Sequence, residues 1–250
     1  MRVLIVKLSS LGDVVHTLPA AMDIRRSVPG VQIDWVVEPA FASLVRLCPV
    51  VDRVIEMDLR RWRKSVLSGQ TRVAWQQFKQ QLQAQSYDRV IDLQGLTKSA
   101  LVSRLARLRS GGERIAMANR TEGSSYEAPT RWVADRLIEL PPHIHAVDRA
   151  RRVCAQALGY EVPEDFHAGM QLIVQPTAAQ LVVCVHGTSR EDKLWPEAHW
   201  LALGRRLLQS GQVPVFVHGN AAEQDRSQRL SDALPGSQVW PALKLDELTQ

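Results

Sequence analysis

The stretch RVLIVKLSSLGDVVHTLPA, Arg2 to Ala20, decides how this chain is read. Residues 2–8 are apolar and rich in Val, Leu and Ile, the mark of a buried strand. The strand ends near Leu8, and apolar residues resume at helical spacing from about Gly12-Asp13. Strand, short polar loop and helix form the opening half of a parallel α/β unit. Ligands of such sheets bind beyond the carboxyl ends of the strands, so loop 7–13 is the first candidate site.

The same alternation continues outward. IDWVV (33–37), RVIEM (53–57), YDRVIDL (87–93) and ERIAM (113–117) read as further buried strands. Residues 71–85, 97–108 and 145–159 carry helical spacing between or after them, the last stopping at Gly159. Residues 160–180 break the rhythm with two prolines and mixed polarity, and the pattern then restarts. LVVCVHG (181–187), a helix over 195–211, VPVFVHG (213–219), a helix over 221–234 and SQVW (237–240) follow. The expectation is an α/β protein of two Rossmann-like domains whose parallel sheets face a cleft. The first covers 1–165, a linker 166–180 and the second 181–250. KLDELTQ (244–250) stops after about two helical turns without a stop signal, so the second domain is expected to be incomplete.

Composition narrows the function classes. In 250 residues, 45% are hydrophobic and 23% charged, as in soluble globular chains, which argues against disorder. No run of about 18 apolar residues occurs and no leader precedes the first strand, so a cytoplasmic protein is expected. Cys48, Cys154 and Cys184 are widely spaced among apolar neighbours, which suits buried thiols better than zinc or disulfides. Residues 181–250 hold seven Lys+Arg against eight Asp+Glu, leaving 24 against 18 in the first 180. A surplus of six positive charges in that front part suits an anionic partner.

Three readings compete for loop 7–13. Ser9, Ser10 and Gly12 could hold an anion on backbone N–H groups at a helix N-terminus. Asp13 could cap that helix or favour its dipole. It could also be a general base facing the cleft. Neither GxGxxG nor GxxxxGK[ST] is present, which disfavours an ordinary nucleotide loop here. HGTSREDKLWPE (186–197) repeats the strand–loop–helix setting. Thr188 and Ser189 offer hydroxyls and Lys193 a cation, a set that suits a diphosphate. The plain alternative pairs Lys193 with Glu191 or Asp192. In HGNAAE (218–223), Glu223 could accept two ribose hydroxyls or sit as an exposed first-turn residue. RRWRK (60–64) sets four cations around one tryptophan. It suits carboxylates, phosphates or an anionic bilayer, with Trp62 against an apolar or sugar surface. A single aromatic is too few for single-stranded nucleic acid. His186 and His218 follow strands but lack a further ligand cluster, so no metal is expected.

Taken together, KLSSLGDVVHTLPA, RRWRK, DLQGLTKSAL (92–101), HGTSREDKLWP and HGNAAE resemble the bacterial lipopolysaccharide heptosyltransferases, in the same order and over essentially the whole chain. RRWRK is most like the members that add the first heptose; acceptor specificity of the second-heptose type is the alternative. The resemblance implies a GT-B glycosyltransferase with ADP-L-glycero-D-manno-heptose as donor and Kdo2-lipid A as acceptor. It also implies inversion at the anomeric carbon, no cofactor or metal, no nucleic acid, and peripheral attachment to the anionic cytoplasmic face of the inner membrane. By this resemblance Asp13 is the catalytic base and Lys193 a catalytic group on the donor diphosphate. Thr188, Ser189 and Glu223 are its donor neighbours, and Ser9, Ser10, Gly12, Arg60, Arg61, Arg63 and Lys64 meet the acceptor. The family continues into a D-T-G-x-x-H segment that this sequence lacks. Weakened donor binding is therefore expected, and a non-catalytic binder of glycolipid or nucleotide is the rival reading.

Overall fold

The structure, a computed structural model, describes residues 1–65, 68–170, 180–188, 190–243, 245 and 247. The chain divides into two compact units, Met1–Gln171 and Leu172–Gln250. Residues 171–179 of the expected linker, Ser189 and most of 244–250 lie outside the described residues.

The first unit runs β1 (Arg2–Val6), α1 (Leu11–Ser27), β2 (Gln32–Val37), α2 (Pro39–Arg46), β3 (Arg53–Glu56), α3 (Leu59–Lys64) and α4 (Gly69–Gln83). It continues with β4 (Ser86–Asp92), α5 (Thr97–Leu105), β5 (Arg107–Met117), α6 (Pro129–Val133), β6 (Arg136–Ile138) and α7 (Ala146–Leu158). All neighbouring strands pair in parallel, in the order β3-β2-β1-β4-β5-β6, the Rossmann order. Alternate residues of β1 serve opposite faces of the sheet. Val3 and Ile5 pack with Leu18 and Ile24 of α1 and Val153 of α7. Leu4 and Val6 pack with Phe78 and Leu82 of α4 and Val102 of α5. A strand buried on both sides has to be apolar throughout, which is why RVLIV shows no alternation.

The second unit holds β7 (Leu181–Cys184), a short 3-10 helix (Glu191–Lys193), α8 (Glu197–Gln209), β8 (Val213–Phe216), α9 (Ala221–Asp232) and β9 (Gln238–Val239). Its strands are parallel, in the order β7-β8-β9. Its core is small, with Cys184, Phe216, Leu230 and Leu234 fully covered.

Three differences from the sequence reading have local causes. The helix read over 97–108 ends at Leu105, because Arg114 donates to the carbonyls of Ser103 (2.8 Å) and Ala106 (3.2 Å). Those oxygens lack partners within the helix, and meeting them there lets the chain turn into a strand. RRWRK, given no element from its sequence, is helical. The Asp58 carboxylate accepts from Arg61 N–H at 3.2 Å, an N-cap, and Trp62 is 8% exposed against Trp75 and Phe78. Trp62 therefore packs mostly into the core. The short elements α2, α6 and β6 were not read from the sequence.

Candidate active site

In the order β3-β2-β1-β4-β5-β6, β1 and β4 lie side by side at the centre. The chain leaves β1 into α1 on one face and β4 into α5 on the other, which opens a crevice at their carboxyl ends. Loop 7–13 and residues 93–96 meet there. The Gln94 side-chain oxygen accepts from the N–H groups of Leu8 and Ser9, both at 3.0 Å. Lys98 Nζ donates to the Ser9 hydroxyl at 2.8 Å. Asp92 is fully buried and accepts from the N–H groups of Gln94 (2.9 Å) and Gly95 (3.0 Å). Burial raises the Asp92 carboxyl above its usual range, against those hydrogen bonds, that of Ser99, and Lys7.

Asp13 is the third residue of α1. Its Oδ2 accepts from both the backbone N–H and the hydroxyl of Ser10, each at 3.1 Å. Its Oδ1 lies 3.7 Å from Nζ of Lys7, a side chain that also donates to the Leu93 carbonyl at 3.0 Å. Arg149 enters from α7, and its Nη1 donates to Thr121 Oγ1 and the Glu122 carbonyl, both at 3.1 Å. Lys7 and Arg149 are each 5% exposed. Partial burial works to raise the Asp13 carboxyl. The Lys7 ammonium, the two Ser10 hydrogen bonds and Arg149 outweigh it, leaving the carboxyl below its usual range. Lys7 is itself lowered, because desolvation exceeds the pull of Asp13.

This geometry sorts the three readings of the loop. Ser9 N–H belongs to Gln94 and Ser10 N–H to Asp13, so two of the three N–H groups read as an anion cradle are already taken. The capping bonds are real. They coexist with a carboxylate whose side chain is 30% exposed and ionised at neutral pH.

Beside the loop, Glu38 is buried and joins two cations: Lys98 Nζ at 2.9 Å and Arg60 Nε at 3.0 Å. Arg60, Arg63, Lys98, Glu38 and Glu127 line a cavity of about 240 Å³. Glu127 accepts from Thr97 at the start of α5; those bonds hold its carboxyl below the usual range. The helical turn of α3 sends Arg61 elsewhere, to a larger cavity of about 610 Å³ lined by Trp62 and Phe78. Lys64 is exposed at the end of α3. The four cations of RRWRK thus do not form one cluster.

In the second unit, Glu223 lies in the first turn of α9, whose N-cap Asn220 accepts from its N–H at 2.9 Å. The Glu223 carboxylate accepts from Gly219 N–H at 2.7 Å. A Cβ on Gly187 would come 2.5 Å from the other carboxylate oxygen, so a side chain there would have to displace the Glu223 carboxylate. Thr188 and Lys193 are exposed, and Ser189 lies outside the described residues. Asp192 bonds Arg190 (2.9 Å from Nε), and among the described residues Lys193 has no ion pair. His186 is buried, with Nε2 2.7 Å from the Ser227 hydroxyl and Trp200 and Phe216 beside its ring. Among the described residues no three His, Cys, Asp or Glu side chains group as metal ligands.

The family model of Glycosyltransferase family 9 (heptosyltransferase) matches residues 75–250. Lipopolysaccharide heptosyltransferase 1 of Pseudomonas aeruginosa is 41% identical, over 98% of this chain and 68% of its own length. The protein of that name in Escherichia coli K12 is 39% identical, over 98% of this chain and 77% of its own length. The chain belongs to glycosyltransferase family 9. A solved family structure, the E. coli heptosyltransferase WaaC with ADP-2-deoxy-2-fluoro heptose, superposes with a TM-score of 0.86 at 37% identity. The match covers 99% of this chain and 78% of that one. The fold is accordingly that of a GT-B glycosyltransferase, with Rossmann-like units built on parallel sheets.

For a member of family 9, the sequence reading overlooked several residues around Asp13. Lys7 stood in the quoted loop but reads as the end of a strand, and Arg149 as one cation among several on a helix. Gln94, Lys98 and Glu38 carry no spacing signal, since they meet the loop only through the order of the strands. DLQGLTKSAL contains two of the three, and its strand–loop–helix setting was the available clue.

Proposed function

We propose that the chain transfers L-glycero-D-manno-heptose from ADP-heptose to the Kdo region of Kdo2-lipid A, with inversion at the anomeric carbon, in building the lipopolysaccharide inner core. Relatives at 39–41% identity with that role in their name support the heptose, and the nucleotide-sugar analogue held by the solved relative supports the donor. The observation that carries the chemistry is the Asp13 carboxylate, ionised and part-exposed where β1 and β4 diverge.

In this reading Asp13 takes the proton of an acceptor hydroxyl while that oxygen bonds to the anomeric carbon. The bond from that carbon to the diphosphate oxygen breaks from the opposite side, and ADP leaves with the electron pair. A carboxylate held below its usual range is a weak base. It is effective because the hydroxyl grows acidic as its oxygen bonds to carbon. Lys193, with the hydroxyls of Thr188 and Ser189, meets the charge that develops on the diphosphate, and Glu223 accepts ribose hydroxyls. Arg60 and Arg63, in the cavity they share with Lys98, form the acceptor side with Ser9, Ser10 and Gly12, while Arg61 and Lys64 would meet the acceptor away from that cavity. The acceptor is assigned to residues 1–165 and the donor to 181–250.

No described helix is long and apolar enough to cross a membrane. The 24 Lys+Arg against 18 Asp+Glu of the first 180 residues favour peripheral contact with an anionic surface, placed here at the cytoplasmic face of the inner membrane. ADP release from ADP-heptose, with and without Kdo2-lipid A, tests the transfer. Release that depends on the acceptor is expected. Release at the same rate without it would make the chain a hydrolase, and no release would leave a binder.

A further inference from the structure

We infer that the outer face formed by α5 and α6 docks on an anionic bilayer, Trp132 and Leu101 entering the headgroup layer with Arg104 and Arg131 beside them. The inference rests on the peripheral-contact reading above and names the face that makes the contact. Trp132 is 79% exposed, more than any other large apolar side chain among the described residues. The two helices are tied together at both ends. Glu127, just before α6, accepts from Thr97 at the start of α5. Asp135, just after α6, accepts from Arg114 N–H at 2.8 Å, and the Arg114 side chain bonds the carbonyls of Ser103 and Ala106 where α5 ends. Between these ties α6 runs alongside α5. Leu101 and Arg104 are both exposed and three residues apart, so they share one stripe of α5. On β6, Ile138 packs with α1 and α7, so strand alternation turns the exposed Leu137 toward the α5–α6 side.

Charge and position choose the occupant. α5 and α6 contain Lys98, Arg104 and Arg131 and no acidic residue. Lys98 is taken by Glu38 and Ser9, whereas among the described residues Arg104 and Arg131 have no carboxylate partner. A dry protein interface would strip water from those guanidiniums, which is costly. At a bilayer their stems lie along the apolar layer while the charged ends meet lipid phosphates. Tryptophan suits the same boundary, having an apolar body and one polar N–H. Apolar burial and attraction to anionic lipid then act together. The face also borders the cavity of Arg60, Arg63 and Lys98, whose wall includes Thr97 and Glu127. Leu101 lies one turn beyond Thr97, about 6 Å along the helix. A lipid-linked acceptor can therefore reach that cavity while its chains stay in the bilayer.

Flotation with vesicles tests the face without donor or acceptor. Vesicles of phosphatidylglycerol and phosphatidylcholine in equal parts are compared with phosphatidylcholine alone. The unaltered protein is expected to prefer the anionic vesicles by at least about 25-fold, roughly fivefold for each of Arg104 and Arg131. Trp132→Ala should weaken that binding on the order of tenfold, the lower end for burying a large apolar side chain. Arg104→Glu combined with Arg131→Glu should abolish the preference. All three side chains are exposed, so melting temperatures should not move. Lipids brominated in their acyl chains should quench tryptophan fluorescence in the unaltered protein and much less in Trp132→Ala. Anionic binding that survives in full in both variants overturns the face and sends peripheral attachment elsewhere. Self-association that needs Trp132, in place of vesicle binding, overturns it in favour of a second copy. Turnover separates the face from the transfer reading. Both variants should keep kcat/KM on an acceptor freed of its acyl chains and lose it on Kdo2-lipid A in vesicles. Acceptor-dependent ADP release by an unaltered protein that binds no vesicle sinks the face alone. Vesicle binding that needs Trp132, without ADP release on either acceptor, sinks the transfer reading and leaves the face standing.

Discussion

Loops 7–13 and 185–196 leave parallel strands toward helices in the same way, yet they are built on opposite plans. In the first, Lys7 and Ser9 are buried, and Gln94, Lys98 and Ser10 fix the backbone and the Asp13 carboxylate from several sides. In the second, Thr188 and Lys193 are exposed, and among the described residues the 3-10 turn that carries Lys193 is held by few bonds. The difference follows from the tasks proposed for them. A proton acceptor works only when held within hydrogen-bond reach of one hydroxyl, so its loop is fixed beforehand. A diphosphate is a large charge that an exposed lysine can reach along a flexible stem.

The strongest way to break this comparison is Asp13→Ala. Turnover should fall about 10²–10⁴-fold, the range of general base catalysis, while ADP affinity measured by calorimetry stays nearly unchanged. A variant that turned over normally would reduce the fixed loop to a helix cap. Next comes Lys193→Ala. Loss of one group that stabilises developing charge costs about 10²–10³-fold in kcat. Because Lys193 is exposed, its melting temperature should not move, and a large drop would mean that the second loop is structural after all.

Gly187→Ala has a smaller effect and probes what order the second loop possesses. The added methyl would stand 2.5 Å from a carboxylate oxygen of Glu223, the far end of a flexible side chain, so the fold can absorb it. Glu223 must swing away and lose the Gly219 N–H. ADP affinity should fall by about tenfold, the worth of a hydrogen bond or two. Affinity equal to that of the unaltered protein would remove Glu223 from the donor site.

The same contrast explains what could be read in advance. Long apolar runs such as RVLIV and VPVFV announce buried parallel strands because both faces must be apolar, and the βα alternation follows. Asp13 was legible as a choice between cap and base, since third position in a helix suits both. Its surroundings were not. Lys7, Gln94, Lys98 and Arg149 converge from the loops after β1 and β4, α5 and α7, and no sequence window contains them all. RRWRK hid its helix for a different reason: its charges dominate the composition, whereas its single apolar residue, Trp62, sets the helix on the core. At β5, Arg107 and Leu108 were read into the preceding helix and the strand only from Glu113. The close approach of Gly112, whose Cβ would lie 2.7 Å from the Tyr87 carbonyl, lets the strand begin at Arg107.

The smallest expected effect separates the two units by pH. Burial, then Arg226, pushes the His186 imidazole below its usual range, and Glu223 and Glu197 oppose this without prevailing. The folded state therefore holds fewer protons than the unfolded chain once pH falls to about 6.5, the ordinary histidine value. Stability is then fully present above that pH and declines below it, until His186 protonates in the folded state as well. Asp13 behaves differently. Its folded value is depressed, so its contribution is present above the ordinary carboxylate range, about pH 4, and fades only as pH falls through the lower folded value. Between pH 7.5 and 5, hydrogen-exchange protection, corrected for the intrinsic rate at each pH, should fall in β7, β8 and α9 and hold steady in β1, β4 and α1. His186→Gln, which has no ring to protonate, should flatten that slope. A slope unchanged in this variant would assign the acid sensitivity to another group, and the plan of the second unit would owe nothing to its buried histidine.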